Sequence, residues 1–143
     1  MLPKGKPQFS ALTIKHTGRT NRIVTEVGIT PAFDPRQYQN RDIPYQIVNK
    51  HALWDTGATN SVLTTEAAKE MNLTPVGVAE VMHFGGTKKS NTYLVNLFLP
   101  NNVMLPGILV SETEYTTGGF GVIIGMDVIA NGDFAITNVQ NLT

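Results

Sequence analysis

The chain has 143 residues, 41% of them apolar and only 15% charged, with eleven basic residues against eleven acidic ones. That length makes one domain with a genuine core, and the charge balance leaves no field to attract nucleic acid or an anionic membrane. With no cysteine, a disulfide framework and a thiolate metal site are excluded, and a reducing compartment fits.

Residues 1–8 carry lysines and prolines with no apolar run after them, so they read as a flexible arm, not a signal peptide. No stretch approaches the length of a membrane span. The expectation is a soluble, cytoplasmic protein whose single domain covers residues 9–143. Residues 9–15 alternate loosely and predict a strand; 16–21 supply a turn, and 23–30 return as a second strand, giving a hairpin. Residues 31–45 contain prolines at 31, 35 and 44 and read as a long surface loop. Residues 46–54 predict the next strand, its last three residues apolar. Thr64 is placed to cap a short helix, Glu66 favours its first turn, and Asn72 ends it.

Residues 76–84 predict a strand and 85–90 a turn. Residues 92–99, apolar at nearly every position, predict a strand buried on both faces. Residues 103–110 form another, with Pro106-Gly107 marking an edge or a bulge. A polar loop is expected over 111–119, then an apolar strand over 120–124. A short helix over 126–130 is stopped by Asn131-Gly132, and residues 133–137 predict a last strand. Abundant Val, Ile and Thr agree with a sheet-rich domain.

The chain is organised around Ala52-Leu53-Trp54-Asp55-Thr56-Gly57-Ala58-Thr59-Asn60-Ser61-Val62-Leu63. A carboxylate wedged between two apolar strands is costly unless its surroundings hydrogen-bond it, and glycine makes the turn sterically possible. Asp-Thr-Gly-Ala in this setting resembles the active-site loop of the aspartic proteases, in the single-lobed, retropepsin-like branch. There the loop is followed by a β-hairpin flap and then by a strand reading apolar-apolar-Gly. Here Gly85-Gly86 and Ile123-Ile124-Gly125 follow in that order, so the resemblance spans roughly residues 46–130.

The resemblance implies an all-β fold: a closed β-barrel with a glycine-tipped flap hairpin and one or two short helices. It implies that Asp55 is the catalytic carboxylate and that Thr56 bonds across to a partner's loop. Gly57 would offer backbone groups to substrate, beside Ala58. Phe84, Gly85 and Gly86 would form the flap over a bound peptide, while Ile124, Gly125 and Asp127 support the site from behind. Retroviral members commonly carry an Asp two residues beyond the Asp-Thr-Gly and an Arg after the final glycine. Thr59 and Met126 stand there instead, so both halves of that ion pair are absent together.

The chemistry implied needs two carboxylates, one to activate water and one to polarise the peptide carbonyl. This chain holds one such loop, so the second aspartate comes from a second copy. The expected protein is a homodimeric aspartic endopeptidase acting on peptides or proteins, with no cofactor and no metal. The alternative is a catalytically weak or inactive dimerisation or peptide-binding module of the same fold. Other chemistries lack their residues. Gly-x-Ser-x-Gly is missing, His16, His51 and His83 stand at no metal-ligand spacing, and Gly118-Gly119-Phe120-Gly121 precedes its strand instead of following it.

Overall fold

The computed structural model describes residues 10–114 and 116–143; the arm expected over residues 1–8 lies outside them. Among the described residues seven strands are present: β1 (Ile23–Pro31), β2 (Val48–Trp54), β3 (Val62–Thr64), β4 (Gly77–His83), β5 (Gly86–Phe98), β6 (Met104–Thr113) and β7 (Val122–Ile124). Two short helices, α1 (Thr65–Glu70) and α2 (Met126–Ile129), follow β3 and β7. The hydroxyl of Thr64 caps α1 by accepting from Ala67 N, and Asn72 leaves the helix in the left-handed region at φ 50°, as asparagine tolerates. No helix among the described residues is long and apolar enough to cross a membrane.

The strands lie in the order β1-β2-β7-β3-β6-β5-β4, and β1 also pairs with β5. Six strands therefore complete a hydrogen-bonded circuit, and β4 hangs outside it as a partner of β5. Val27, Ile29, Ala52, Leu63, Val95, Leu97, Val110, Val122 and Ile124 line the interior at 1% exposure or less. Burial on this scale is the dominant stabilising term. Ala67, Ala68, Val128 and Ile129 add the buried faces of the two helices.

The bulge expected at Pro106-Gly107 is formed. Val95 pairs with Ile108 and Leu97 with Leu105, so Pro106 and Gly107 together lie opposite the single Asn96. Gly107 takes φ +67° and donates its N–H to Asn96 Oδ1 at 2.9 Å. The fully buried Asn96 turns its amide to Phe33 O at 3.0 Å. It thereby anchors the loop after β1, where Phe33 packs on Tyr38 and Tyr45 and Pro35–Tyr38 form a 3-10 helix.

Four sequence expectations are corrected. Residues 10–15 carry no strand, and β1 takes β2 and β5 as neighbours instead. The alternation in that segment reflects one-sided packing: residues 11–20 alternate between exposed and half-buried. The segment lies against the chain's other end, through His16 N to Thr143 O at 2.8 Å and Thr143 N to Gly18 O at 3.1 Å. Residues 133–137 form no strand either, and an isolated bridge joins Val139 and Leu142. The turn expected over 85–90 contracts to Phe84-Gly85, because residues 86–90 are already paired with β4. Polar residues 111–113 extend β6, since β3 satisfies their backbone in parallel register.

Candidate active site

Asp55 follows the last residue of β2, and its loop leads to β3. Those two strands flank β7, with β2 running parallel to it and β3 antiparallel. The loop must therefore arch over the end of β7. Asp55 N donates to Ile124 O at 2.9 Å, Met126 N to Ala58 O at 2.8 Å, and Asp127 N to Thr59 O at 3.2 Å. Gly125 lies directly beneath the arch. A Cβ there would stand 2.8 Å from Ala58 O and from the carbonyl carbon and oxygen of Asn60, contacts that backbone cannot relieve. These main-chain bonds link the loop and α2 at the positions of Thr59 and Met126, where an ion pair was missing from the sequence.

Asp55 is half-buried, and its Oδ1 accepts the Gly57 N–H at 2.8 Å. Ala58 N closes the turn on Asp55 O at 3.2 Å. Thr56 and Gly57 are exposed at the crest and Ala58 is half-buried. Preceding them, Trp54 donates its indole N–H to Thr25 Oγ1 at 2.9 Å and stacks on Phe134, with ring centroids 6.0 Å apart.

A polar contact below the loop links its end to α2. Ser61 is fully buried. Its N–H and hydroxyl donate to Asp127 at 3.0 and 2.7 Å, and the hydroxyl oxygen accepts Gly125 N at 3.0 Å. Asp127 was expected to support the loop; Ser61 was not foreseen. Its only sequence signal was a hydroxyl residue at the last loop position before an apolar strand, where a buried polar group needs partners.

Of the residues singled out in the sequence, Asp55, Thr56, Gly57, Ala58, Ile124, Gly125 and Asp127 come together in this arch. Phe84, Gly85 and Gly86 lie apart from it, at the exposed end of the β4–β5 hairpin, where Gly86 takes φ +126°. Between the arch and the hairpin's base lies a hollow of about 270 Å³, lined by Asn60 and Asp127 of the arch and by Ala79, Thr92, Ile108 and Ser111 among others.

No family model matches the sequence, and no curated protein matches it. The fold does match solved structures. EIAV protease complexed with the inhibitor HBY-793 aligns with a TM-score of 0.56 and 16% identity, over 81% of this chain and 94% of that one. A foamy viral protease-reverse transcriptase in complex with an RNA/DNA hybrid aligns with a TM-score of 0.50 and 16% identity over 81% of this chain. This chain spans 13% of that longer polypeptide. The two alignments and the mostly β architecture agree: the chain has the retropepsin-like fold of the retroviral proteases.

Proposed function

We propose that the protein is a homodimeric aspartic endopeptidase whose two Asp55 carboxylates, one from each copy, hydrolyse peptide bonds. The observation that carries this reading is the Asp55 arch. The half-buried Asp55 stands on a turn braced from beneath by Gly125, Ser61 and Asp127, on a fold shared with retroviral proteases. Two like charges on the order of 3 Å apart cannot both ionise, so the pair shares one proton. The ionised member takes a proton from a water molecule as that water attacks the carbonyl carbon. The protonated member donates to the carbonyl oxygen. Collapse of the tetrahedral intermediate breaks the C–N bond, and the amine leaves with a proton returned from the dyad.

The β4–β5 hairpin is the lid in this reading, with Phe84-Gly85-Gly86 meeting the peptide. The hollow between Asn60, Asp127 and Thr92 takes a substrate side chain. Two features support a second copy. One chain supplies a single Asp-Thr-Gly loop, and Ile136, Val139 and Leu142 expose apolar surface at 53%, 65% and 50%. Digestion of a peptide library, with a pepstatin-type inhibitor and Asp55→Asn as controls, tests the proposal. Inhibitor-sensitive cleavage absent from the variant is expected. No cleavage, or cleavage surviving in Asp55→Asn, overturns it.

A further inference from the structure

The β4–β5 hairpin leaves the sheet at one point. Residues 92–98 of β5 pair with β6, whereas residues 86–92 pair with β4. Thr92 belongs to both ladders, opposite Gly77 on one side and Ser111 on the other. Beyond it the hairpin is a two-stranded ribbon, an arrangement of marginal stability by itself, so its angle is set at its base.

Glu112 stands at that base, one residue past the Ser111 that faces Thr92. Its Oε1 accepts the Thr65 hydroxyl at 2.6 Å. Its Oε2 accepts the Tyr93 hydroxyl at 2.6 Å and the Asn91 amide at 3.0 Å. Its backbone carbonyl accepts the Ser90 hydroxyl. One residue thus holds β5 on both sides of Thr92 and ties it to the first residue of α1. Farther along the ribbon Lys88 pairs with Glu114, but their side chains are 57% and 69% exposed, so that pair contributes little.

The carboxyl of Glu112 is held below its ordinary range, first by the Thr65 hydroxyl and then by Tyr93, with Asn91 and the charge of Lys69 on α1 adding to them. Tyr93 faces it with a hydroxyl pushed upward by burial and by Glu112 itself. The β5–β6 ladder would hold the strands together without any of this. What three donors from two elements add is direction, because a carboxylate bonded at both oxygens has its plane fixed. Ala79 and Thr92, from the ribbon's base, also line the hollow that Asn60 and Asp127 of the arch line. A turn of the ribbon about Thr92 therefore changes the width of the space beside the Asp55 loop.

We propose that Glu112 is a positioning residue for the hairpin: its three accepted side-chain hydrogen bonds set the angle at which the β4–β5 ribbon stands relative to the Asp55 loop, and so how readily the ribbon closes on a bound peptide. This rests on the reading of the hairpin as the lid of the Asp55 site.

Glu112→Gln keeps the shape but places a donor where one of the three donors must be accommodated. Amide hydrogen exchange of the substrate-free protein reads the hairpin directly. Residues 77–91 are expected to exchange about tenfold faster in the variant, with β2 and β7 unchanged. Glu114→Gln is expected to leave the hairpin's exchange as in the wild type. After correction for intrinsic rates, the wild-type hairpin gains the same increment as pH falls through the titration of Glu112, and Glu112→Gln shows no such step. With a cleaved peptide, KM is expected to rise about threefold or more while kcat stays within about twofold. Unchanged exchange in residues 77–91, or an acceleration spread equally over β2 and β7, overturns the proposal. Should Glu112→Gln fail to fold, Asn91→Ala removes the ribbon-side donor alone and must speed exchange there, or the idea falls. A wild type without peptidase activity would count against the proposed function, while the exchange comparison still decides the role of Glu112.

Discussion

Ser61 and Asp127, 66 positions apart, are joined by two hydrogen bonds at 3.0 and 2.7 Å, and the same Ser61 hydroxyl accepts the buried N–H of Gly125. The exit of the Asp55 loop and the start of α2 therefore move as one piece. Removal of the hydroxyl leaves Gly125 N–H buried without its partner, the costly half of losing a hydrogen bond. Ser61→Ala is expected to cost about 2 kcal/mol and to lower Tm by roughly 5–8 °C. Calorimetry checks this; a Tm within 1–2 °C of the wild type, as roughly expected for a neutral surface change, would show that the link is dispensable.

Asp55→Asn separates catalysis from architecture. The amide oxygen still accepts the Gly57 N–H that Asp55 Oδ1 accepts at 2.8 Å, so the turn persists. An amide cannot take and return the proton. Turnover is expected to fall by about three orders of magnitude or more, with stability unchanged or raised as repulsion between two carboxylates is relieved. Peptide cleavage and thermal melting on one preparation check both halves.

Local features of this fold were legible in the sequence, and partnerships were not. The strand into Asp55, the Thr64 cap and the Pro106-Gly107 bulge each depend on a few neighbouring residues, and each stands where the pattern placed it. The position of β7 between β2 and β3 is a property of the closed circuit, so no local pattern announces it. Yet that position brings Gly125 under the loop and Ser61 onto Asp127. Residues 10–15 and 133–137 show the converse. A strand also needs a ladder partner, and neither segment has one: residues 11–15 alternate between exposed and half-buried, and 133–137 are exposed throughout. Glu112 was hidden for a third reason: it stood in a stretch read as polar loop, where a carboxylate attracts no notice.

Glu112 predicts an acid limb in the stability profile. Its folded carboxyl titrates below its ordinary value, chiefly because Thr65 and Tyr93 donate to it. A group depressed in this way stabilises the fold above its unfolded value of about 4.3, and that contribution is lost as pH falls through the folded value. Denaturant midpoints measured from neutral pH down through the unfolded carboxylate value and below it are expected to fall less steeply for Glu112→Gln than for the wild type. Parallel curves would show that Glu112 is not among the groups responsible.

Gly86 predicts a defect confined to the hairpin. Its φ of +126° suits glycine, and a Cβ there meets nothing within 4 Å, so the cost of Gly86→Val is backbone strain alone, about 1–3 kcal/mol. The ribbon opens locally before the core does, so Tm is expected to change by less than about 3 °C while turnover falls. A variant with unimpaired turnover would argue that the hairpin tip has no part in closing on substrate.

The second copy decides most of the mechanism. If the dyad takes one Asp55 from each chain, both side chains stand beside a twofold axis, with Thr56 bonding across it. A monomer then holds half a site. Specific activity is expected to fall as the protein is diluted through the dimer dissociation constant, and a bound active-site inhibitor is expected to shift that fall to lower concentration by mass action. Mixing wild type with excess Asp55→Asn is expected to suppress activity beyond simple dilution, because heterodimers carry one competent carboxylate. The apolar Ile136, Val139 and Leu142 near the chain's end offer a separate handle. Replacing Val139 with Asp is expected to weaken the dimer and move the dilution curve to higher concentration without altering kcat at saturation. Sedimentation alongside activity reads both. A strictly monomeric protein with full, dilution-independent activity would mean that the second carboxylate lies within the same chain, and the twofold mechanism would have to be abandoned.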